Sequence, residues 1–437
     1  MTTHTRPPFA ETRVGDLDFW LASPQQREER YFAKLRPAQP ISWQPPAEGT
    51  NPLMEPKEDG FWAVTGHPEI VAITKDPATF CNGQGTMYDD FPPEAYEAAG
   101  SILVLDAPRH MKVRSLVSLA FTPRRLATIR EQIAQQAKTI VSDLAKLESG
   151  SGDFVELVAA RLPLWTISEM VGVPEEQRAD MISAALKVNG LQDPDINQGR
   201  PPAEVLAEGL MHLHGLSHEI IEKRRAHPED DLMSSLVNAE IDGEKLTPME
   251  ISSFFALLCV AGNDTTRNAT SIGMQALTDH PEQRQLLTAN LDELLPKAIE
   301  ELLRWASPVI TMRRTATRDV TIDGMDILEG DKVILFYPAG NFDDRVFTDP
   351  TVFDIQRKPN HHLAFGGGGP HFCLGAQLAR MQLRSIFTEL LTRVPDLEVD
   401  HPEFELNTII SSVKRMPCSF TPTAVKENDP GARREES

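Results

Sequence analysis

Three features of the sequence predict a mainly α-helical fold with a minor β component. Long stretches carry apolar residues at helical spacing. The 34 prolines fall between those stretches rather than in one low-complexity block. Only a few short segments alternate, among them Val320–Ile322 and Lys332–Phe336. A hydrophobic share of 41% over 437 residues is enough to bury a core, which rules out wholesale disorder.

In chain order, short strands are expected at 41–43 and 61–65, then a helix over 68–75 that opens on proline. Residues 81–101 are rich in glycine, proline and acidic residues and read as a long loop. Helical patterns follow over 108–118, 123–146, 157–171, 174–187, 201–226, 231–239, 248–280, 281–289 and 291–305. The alternating segments flank a turn at 323–325. A glycine-rich loop over 365–370 runs into a last helix, 375–393. Residues 1–13 are polar and expected to be loose, 426–437 form a charged tail, and 14–425 read as one domain with no repeat or linker.

Lys and Arg number 43 against 64 Asp and Glu, a formal charge of −21. Such a surface repels phosphates, so nucleic acid and anionic membranes are poor partners. Cys81, Cys259, Cys373 and Cys418 lie far apart, with no CxxC pair, zinc spacing or disulfide framework, as a reducing cytosol would favour. The N-terminus carries no basic-then-apolar signal. The most apolar stretch, 251–263, is thirteen residues long, short of the ~20 that span a bilayer, and reads as a buried helix. A cytoplasmic protein without an integral membrane segment is expected.

Three constellations carry chemistry. The first is HLAFGGGGPHFCLG over 362–375. Its glycines let the backbone pass close to a bulky, flat partner. Cys373 precedes an amphipathic helix, so its thiol meets the positive helix end and free N–H groups, which favour thiolate and would tune a bound metal. Alone, the segment fits a buried free cysteine beside a glycine turn equally well. The second is Glu301 and Arg304, three apart on one helix face; alone, they also match a solvated surface pair. The third is AGNDTT over 261–266, following the apolar Phe254, Phe255, Leu257, Leu258 and Val260. Gly262 is expected to open space, and a mid-helix threonine can bond back and bend the helix, admitting water. Asp264 beside Thr265 is a candidate proton-delivery pair. A polar helix end is the alternative, weakened because apolar periodicity resumes at Ile272, Met274 and Leu277.

In this order and at these distances, the three motifs resemble the cytochrome P450 superfamily, the haem-thiolate monooxygenases, over about 16–425. The resemblance implies the cytochrome P450 fold and haem b (iron protoporphyrin IX), with Cys373 as the axial metal ligand whose electron push favours O–O cleavage. It makes Glu301, Arg304 and Arg357 a structural brace of the haem-binding core. His110, Arg114, Arg314 and His371 become the cofactor-binding cations for the propionates. Asp264 and Thr265 become catalytic, the acid recharging a water that the alcohol holds. Two departures stand out. The thiolate loop has one glycine more than the commonest pattern, as in some actinobacterial lipid and sterol hydroxylases. Residues 341–343 read Asn-Phe-Asp where many members have Asn-Arg-Asp, which weakens the case for one supporting salt bridge.

The implied reaction inserts one oxygen atom from O2 into a C–H bond of an apolar substrate. No fused flavin or iron–sulfur sequence is present, so a ferredoxin and an NAD(P)H-dependent ferredoxin reductase are the implied electron donors, with Lys112, Arg380 and Arg384 as candidate docking cations. Phe91, Leu186, Val188, Leu191, Val309, Ile310, Met312, Ile409 and Ile410 are expected to line the substrate pocket. Segments 230–237, 250–255 and 304–309 resemble mycobacterial hydroxylases of methyl-branched lipids. They imply oxidation near the terminus of a methyl-branched fatty, isoprenoid or sterol side chain. Two other readings share the fold. A peroxide-driven hydroxylase normally lacks the acid–alcohol pair, and a non-catalytic haem-thiolate sensor or ligand carrier needs no relay.

Overall fold

A computed structural model describes residues 6–46, 59–90, 101–118, 121, 123–190, 193–241 and 243–423. Helix Pro248–Asp279 is its spine. Thr247 caps it by accepting from the Glu250 N–H, while the Glu250 carboxylate accepts from the Thr247 N–H. Its 32 residues extend for about 48 Å. The first half, with Ile251, Phe254, Phe255 and Cys259, packs with helices Arg178–Asn189, Pro202–Ala226 and Leu232–Asn238. The second half, with Ala269, Ile272, Met274 and Leu277, joins a larger core with Pro123–Ala145, Arg161–Met170, Leu291–Ala306 and Ala376–Arg393. Between the halves Ala261 is exposed and Gly262 and Thr265 are half-buried. Ala261 is thus an apolar residue left unpacked midway along an otherwise buried helix.

The main sheet runs in the order Ile41–Gln44, Phe61–Val64, Lys332–Phe336, Thr311–Ala316, Phe80–Cys81. Phe61–Val64 and Lys332–Phe336 pair in parallel, with Ala63 opposite Ile334, and the remaining pairs are antiparallel. Lys332–Phe336 lies at the centre and is buried throughout, as its unbroken Val-Ile-Leu-Phe run requires. Val320–Ile322 turns back on Met325–Ile327 through Asp323 and Gly324, at φ +50° and +76°. Met325, expected in the turn, therefore begins a strand, and Lys332–Phe336 is not the partner across it.

Three short helices, Leu17–Leu21, Pro24–Arg27 and Ala33–Ala38, precede the sheet and have no counterpart in the sequence expectation. Residues 6–13, expected to be loose, are tethered: Arg6 pairs with Asp331, Phe9 stacks on Trp43, and the Ala10 N–H donates to the Trp43 carbonyl at 2.9 Å. Residues 1–5 and the expected charged tail lie outside the described residues. Among the described residues no helix is long and apolar enough to cross a membrane.

Candidate active site around Cys373

Cys373 sits where loop 362–375 turns into helix Ala376–Arg393. Its N–H donates to the Phe365 carbonyl at 3.0 Å, and the Gly375 N–H is directed at its sulfur. The thiol is open on one side and otherwise enclosed. Desolvation raises its pKa above the ordinary thiol value, outweighing the Gly375 N–H, Arg114 and Arg380. The Gly375 N–H favours thiolate, as expected, but burial opposes it and prevails in the protein alone. A bound metal cation would supply the missing charge.

Part of the glycine run serves a helix rather than a ligand. A Cβ on Gly369, at φ +72°, would stand 2.3 Å from the Thr74 carbonyl oxygen, and one on Gly367 3.0 Å from Thr74 Oγ1. Both residues lay the loop on helix His67–Lys75, whereas Gly366, at φ +95°, faces open space. Glu300 ties the loop to the following helix. It accepts from Arg380 Nε and Nη2, each at 2.7 Å, and meets His362 Nε2 at 3.0 Å. Burial alone would raise its pKa, but the hydrogen bonds from Arg380 and His362 push it down to about 2. A depressed carboxyl stabilises the fold above its unfolded value of 4.5 and loses that contribution as pH falls toward about 2. Glu300→Gln should therefore lower Tm by a few degrees at neutral pH. Thermal unfolding should show that difference shrinking steadily from about pH 5 to about pH 3.

Arg114 Nη2 donates to the Phe372 carbonyl at 2.6 Å, one residue before the thiol. Arg314 is buried on the sheet, donates to the Arg313 carbonyl at 2.7 Å and bonds Tyr337. The rings of His110 and His371 lie 4.0 Å apart, and His371 is also held by the Leu105 backbone. The structure thus brings all four expected residues together. Among the described residues none of them pairs with a carboxylate, and the buried Nε2 of His110 has no partner. Unpaired buried charge is costly, so such a cluster in a chain of net charge −21 fits an absent anion. The two carboxylates of a haem would meet that requirement, and Cys373, near Arg114, would be the residue to hold its iron. In the protein without a bound anion, the two histidines are the weaker cations of the four. Burial, then His110, Arg314 and Arg114, push His371 down to about 3, and burial with Arg114 lowers His110. Burial therefore disfavours a charge on either ring, and the two arginines are the firmer cations of the cluster.

Thr265 Oγ1 donates to the Ala261 carbonyl at 2.8 Å, as expected, yet the helix continues unbroken to Asp279. A Cβ on Gly262 would lie 2.5 Å from Ile167 Cδ1, so this glycine admits helix Arg161–Met170 rather than opening space. Asp264 does not share the open face of Thr265, because successive helix residues do not face one another. It is buried, accepts from Asn263 Nδ2 at 2.8 Å, contacts Asn189, and lies 3.5 Å from Arg267.

Glu301 and Arg304 are wholly buried, not a surface pair. Arg304 Nε and Nη2 donate to the two Glu301 oxygens at 2.8 and 2.7 Å, and Nη1 reaches the Asn341 and Pro350 carbonyls at 2.8 and 2.9 Å. Arg357 Nε approaches Glu301 at 3.1 Å, and Asn360 Nδ2 and the Asp354 N–H complete its shell at 3.0 and 3.1 Å. The Phe342 ring lies 5.1 Å from the Arg304 guanidinium, and Asp343 pairs instead with Arg345 at 2.7 Å.

Of the residues expected around the substrate, Phe91 and Leu191 lie outside the described residues. Ile310 is buried in the core with Ile334 and Phe336 and is not pocket lining. Leu186, Val188, Val309, Met312 and Ile409 are half-buried. Val309 bridges Ile410, and the Ile310 N–H donates to the Ile409 carbonyl, locking 308–311 to 408–411. Lys112 pairs with Glu244 at 2.6 Å and Arg380 with Glu300, so only Arg384 of the three docking cations is exposed without a carboxylate among the described residues. Sequence reasoning missed Glu300, Asn189, Arg267 and Glu405. Only Arg267, three residues past Asp264, carried a local signal.

A thiol on a glycine loop, an unpaired cationic cluster beside it and a helix open at its centre are the parts a haem-thiolate site needs. The family model for cytochrome P450 matches residues 200–408. The methyl-branched lipid omega-hydroxylase of Mycobacterium tuberculosis is 39% identical over 416 residues, covering 95% of this chain and 96% of that protein. The steroid C26-monooxygenase of Rhodococcus jostii is 39% identical over 373 residues, 84% of this chain and 76% of that one. The solved structure of Mycobacterium marinum cytochrome P450 CYP268A2 in complex with pseudoionone matches at TM-score 0.90 and 44% identity, covering 95% of this chain and all of that one (100%). The chain belongs to the cytochrome P450 family.

Proposed function

We propose that this P450 monooxygenase hydroxylates a methyl-branched lipid or steroid side chain at or near its terminus. The near full-length similarity to a methyl-branched lipid omega-hydroxylase carries the reading. Haem b, when bound, supplies the activation of O2 and the insertion of one oxygen atom into a C–H bond. The protein's own residues do the rest. Cys373 Sγ holds the iron, Arg114 and Arg314 balance the propionates, and His110 and His371 add donors. Apolar side chains such as Val309 and Ile409, on segments locked to each other, orient an alkyl chain. Thr265 Oγ1 positions the water that delivers protons, and Asp264 recharges it. Ferredoxin and an NAD(P)H-dependent reductase supply electrons in the cytoplasm to a single catalytic domain over 14–425.

Thr265→Ala tests the relay. It should bind haem and substrate almost normally and keep consuming NAD(P)H, but release more hydrogen peroxide and less hydroxylated product. Unchanged product per NAD(P)H oxidised would remove Thr265 from proton delivery. Wild-type protein that makes no product from branched lipids, terpenoids or sterols would favour a sensor.

A further inference from the structure

We propose that Glu405 is a positioning residue for proton delivery, taking Arg267 over from Asp264 when Asp264 turns toward Thr265. The proposal rests on the roles given above to Asp264 and Thr265. As it lies, the Asp264 carboxylate is on a different helix face from Thr265 and is held by Asn263, Asn189 and Arg267. To serve the water at Thr265 it must let go of Arg267. Arg267 is buried, and a buried guanidinium left without a carboxylate is strongly disfavoured.

A second carboxylate stands ready on the other side. Arg267 Nη1 is 3.5 Å from Asp264 Oδ1, and Nη2 is 3.9 Å from Glu405 Oε1 while donating to Ser412 Oγ at 2.9 Å. The Ser412 hydroxyl in turn donates to Glu405, and the Glu405 N–H donates to the Ser412 carbonyl at 3.0 Å. One arginine therefore sits between two carboxylates from distant parts of the chain, closer to Asp264 and within reach of Glu405. Asp193, which hydrogen-bonds the Glu405 side chain and pairs with Lys414 at 2.9 Å, is a further charged neighbour. Burial raises the Glu405 pKa, Ser412 and Arg267 oppose it, and Asp264 and Asp193 add to it. Asn263 Oδ1, an acceptor, and Arg267 Nε, a donor, are buried near Asp264 with no partner among the described residues, and each is open to a water.

Wild type, Asp264→Asn, Glu405→Gln and the double variant decide the matter, each haem-loaded. Either single variant should keep its haem and substrate-induced spin-state change and unfold within a few degrees of wild type, because one carboxylate still serves Arg267. The double variant should lose more Tm than the two single losses added. Glu405→Gln should turn over about ten-fold more slowly at unchanged KM, with a larger solvent deuterium isotope effect, because Asp264 then stays on Arg267. Additive Tm losses overturn the shared counter-ion, and wild-type turnover in Glu405→Gln overturns the handover. Should Glu405→Gln fail to load haem, Glu405→Asp is read instead, since its shorter arm withdraws from Arg267; wild-type turnover there overturns the proposal. Asp264→Asn at wild-type turnover would remove the role of Asp264 itself, whereas slow Asp264→Asn beside normal Glu405→Gln removes only the handover.

Discussion

Cys373→Ala is expected to abolish hydroxylation and the red-shifted Soret band that thiolate-ligated haem shows after reduction and carbon monoxide. Cys81→Ala, Cys259→Ala and Cys418→Ala should keep both. The four thiols differ in surroundings rather than in kind. Cys81, Cys259 and Cys418 are buried, and burial pushes the Cys259 thiol far up and the Cys418 thiol to about 11. Such groups behave as small apolar side chains. Cys373 alone of the four is open, with a backbone N–H aimed at its sulfur and Arg114 nearby. Its thiol pKa is also raised by burial, so thiolate character should depend on the metal: apoprotein should react slowly with thiol reagents at neutral pH. If Cys373→Ala kept the band while another cysteine variant lost it, the site would have to move.

What could be read beforehand follows the range of the interaction. Helix Pro248–Asp279 was legible to within a residue because its cap, its proline and its apolar period are all local. The order of the motifs along the chain was enough to expect Cys373, Arg114 and Arg314 in one place, and the structure sets them close together. Contacts between remote segments were not legible. Gly262 and Gly369 look like openings for a ligand until Ile167 and Thr74 are seen against them. Lys112 and Arg380 look like free cations until Glu244 and Glu300 are found beside them. Ile310 looks like pocket lining by hydropathy, yet it is buried in the core while the adjacent Val309 stays half-buried, a one-residue difference that hydropathy does not resolve. Asp264 and Thr265 are adjacent in sequence and read as one unit, yet a helix sets neighbours at about 100° to each other.

Glu301→Ala and Arg304→Ala are expected to give little folded, haem-loaded protein rather than an enzyme with altered kinetics. Both side chains are fully buried, so removing Glu301 strands Arg304 and removing Arg304 leaves Glu301 to Arg357 alone; a stranded buried charge costs about 3–5 kcal/mol. Against a total stability of roughly 5–15 kcal/mol, that is a large share from one substitution. Glu301→Ala should be the worse of the two. It deprives Arg304 and Arg357 together, and it also orphans the Asp354 N–H and Asn360. Arg304→Ala instead exposes the Asn341 and Pro350 carbonyls to an apolar surrounding, while Arg357 still partners Glu301. Haem absorbance relative to protein, with thermal unfolding of whatever remains soluble, measures the order. Replacing the pair together by Glu301→Leu and Arg304→Met should recover part of the loss, because no stranded charge then remains on those two positions. Arg357 stays unpaired in that double variant, so recovery should remain incomplete until Arg357→Met is added. A soluble, haem-replete Arg304→Ala protein with wild-type Tm would show that the brace contributes nothing to the haem-binding core.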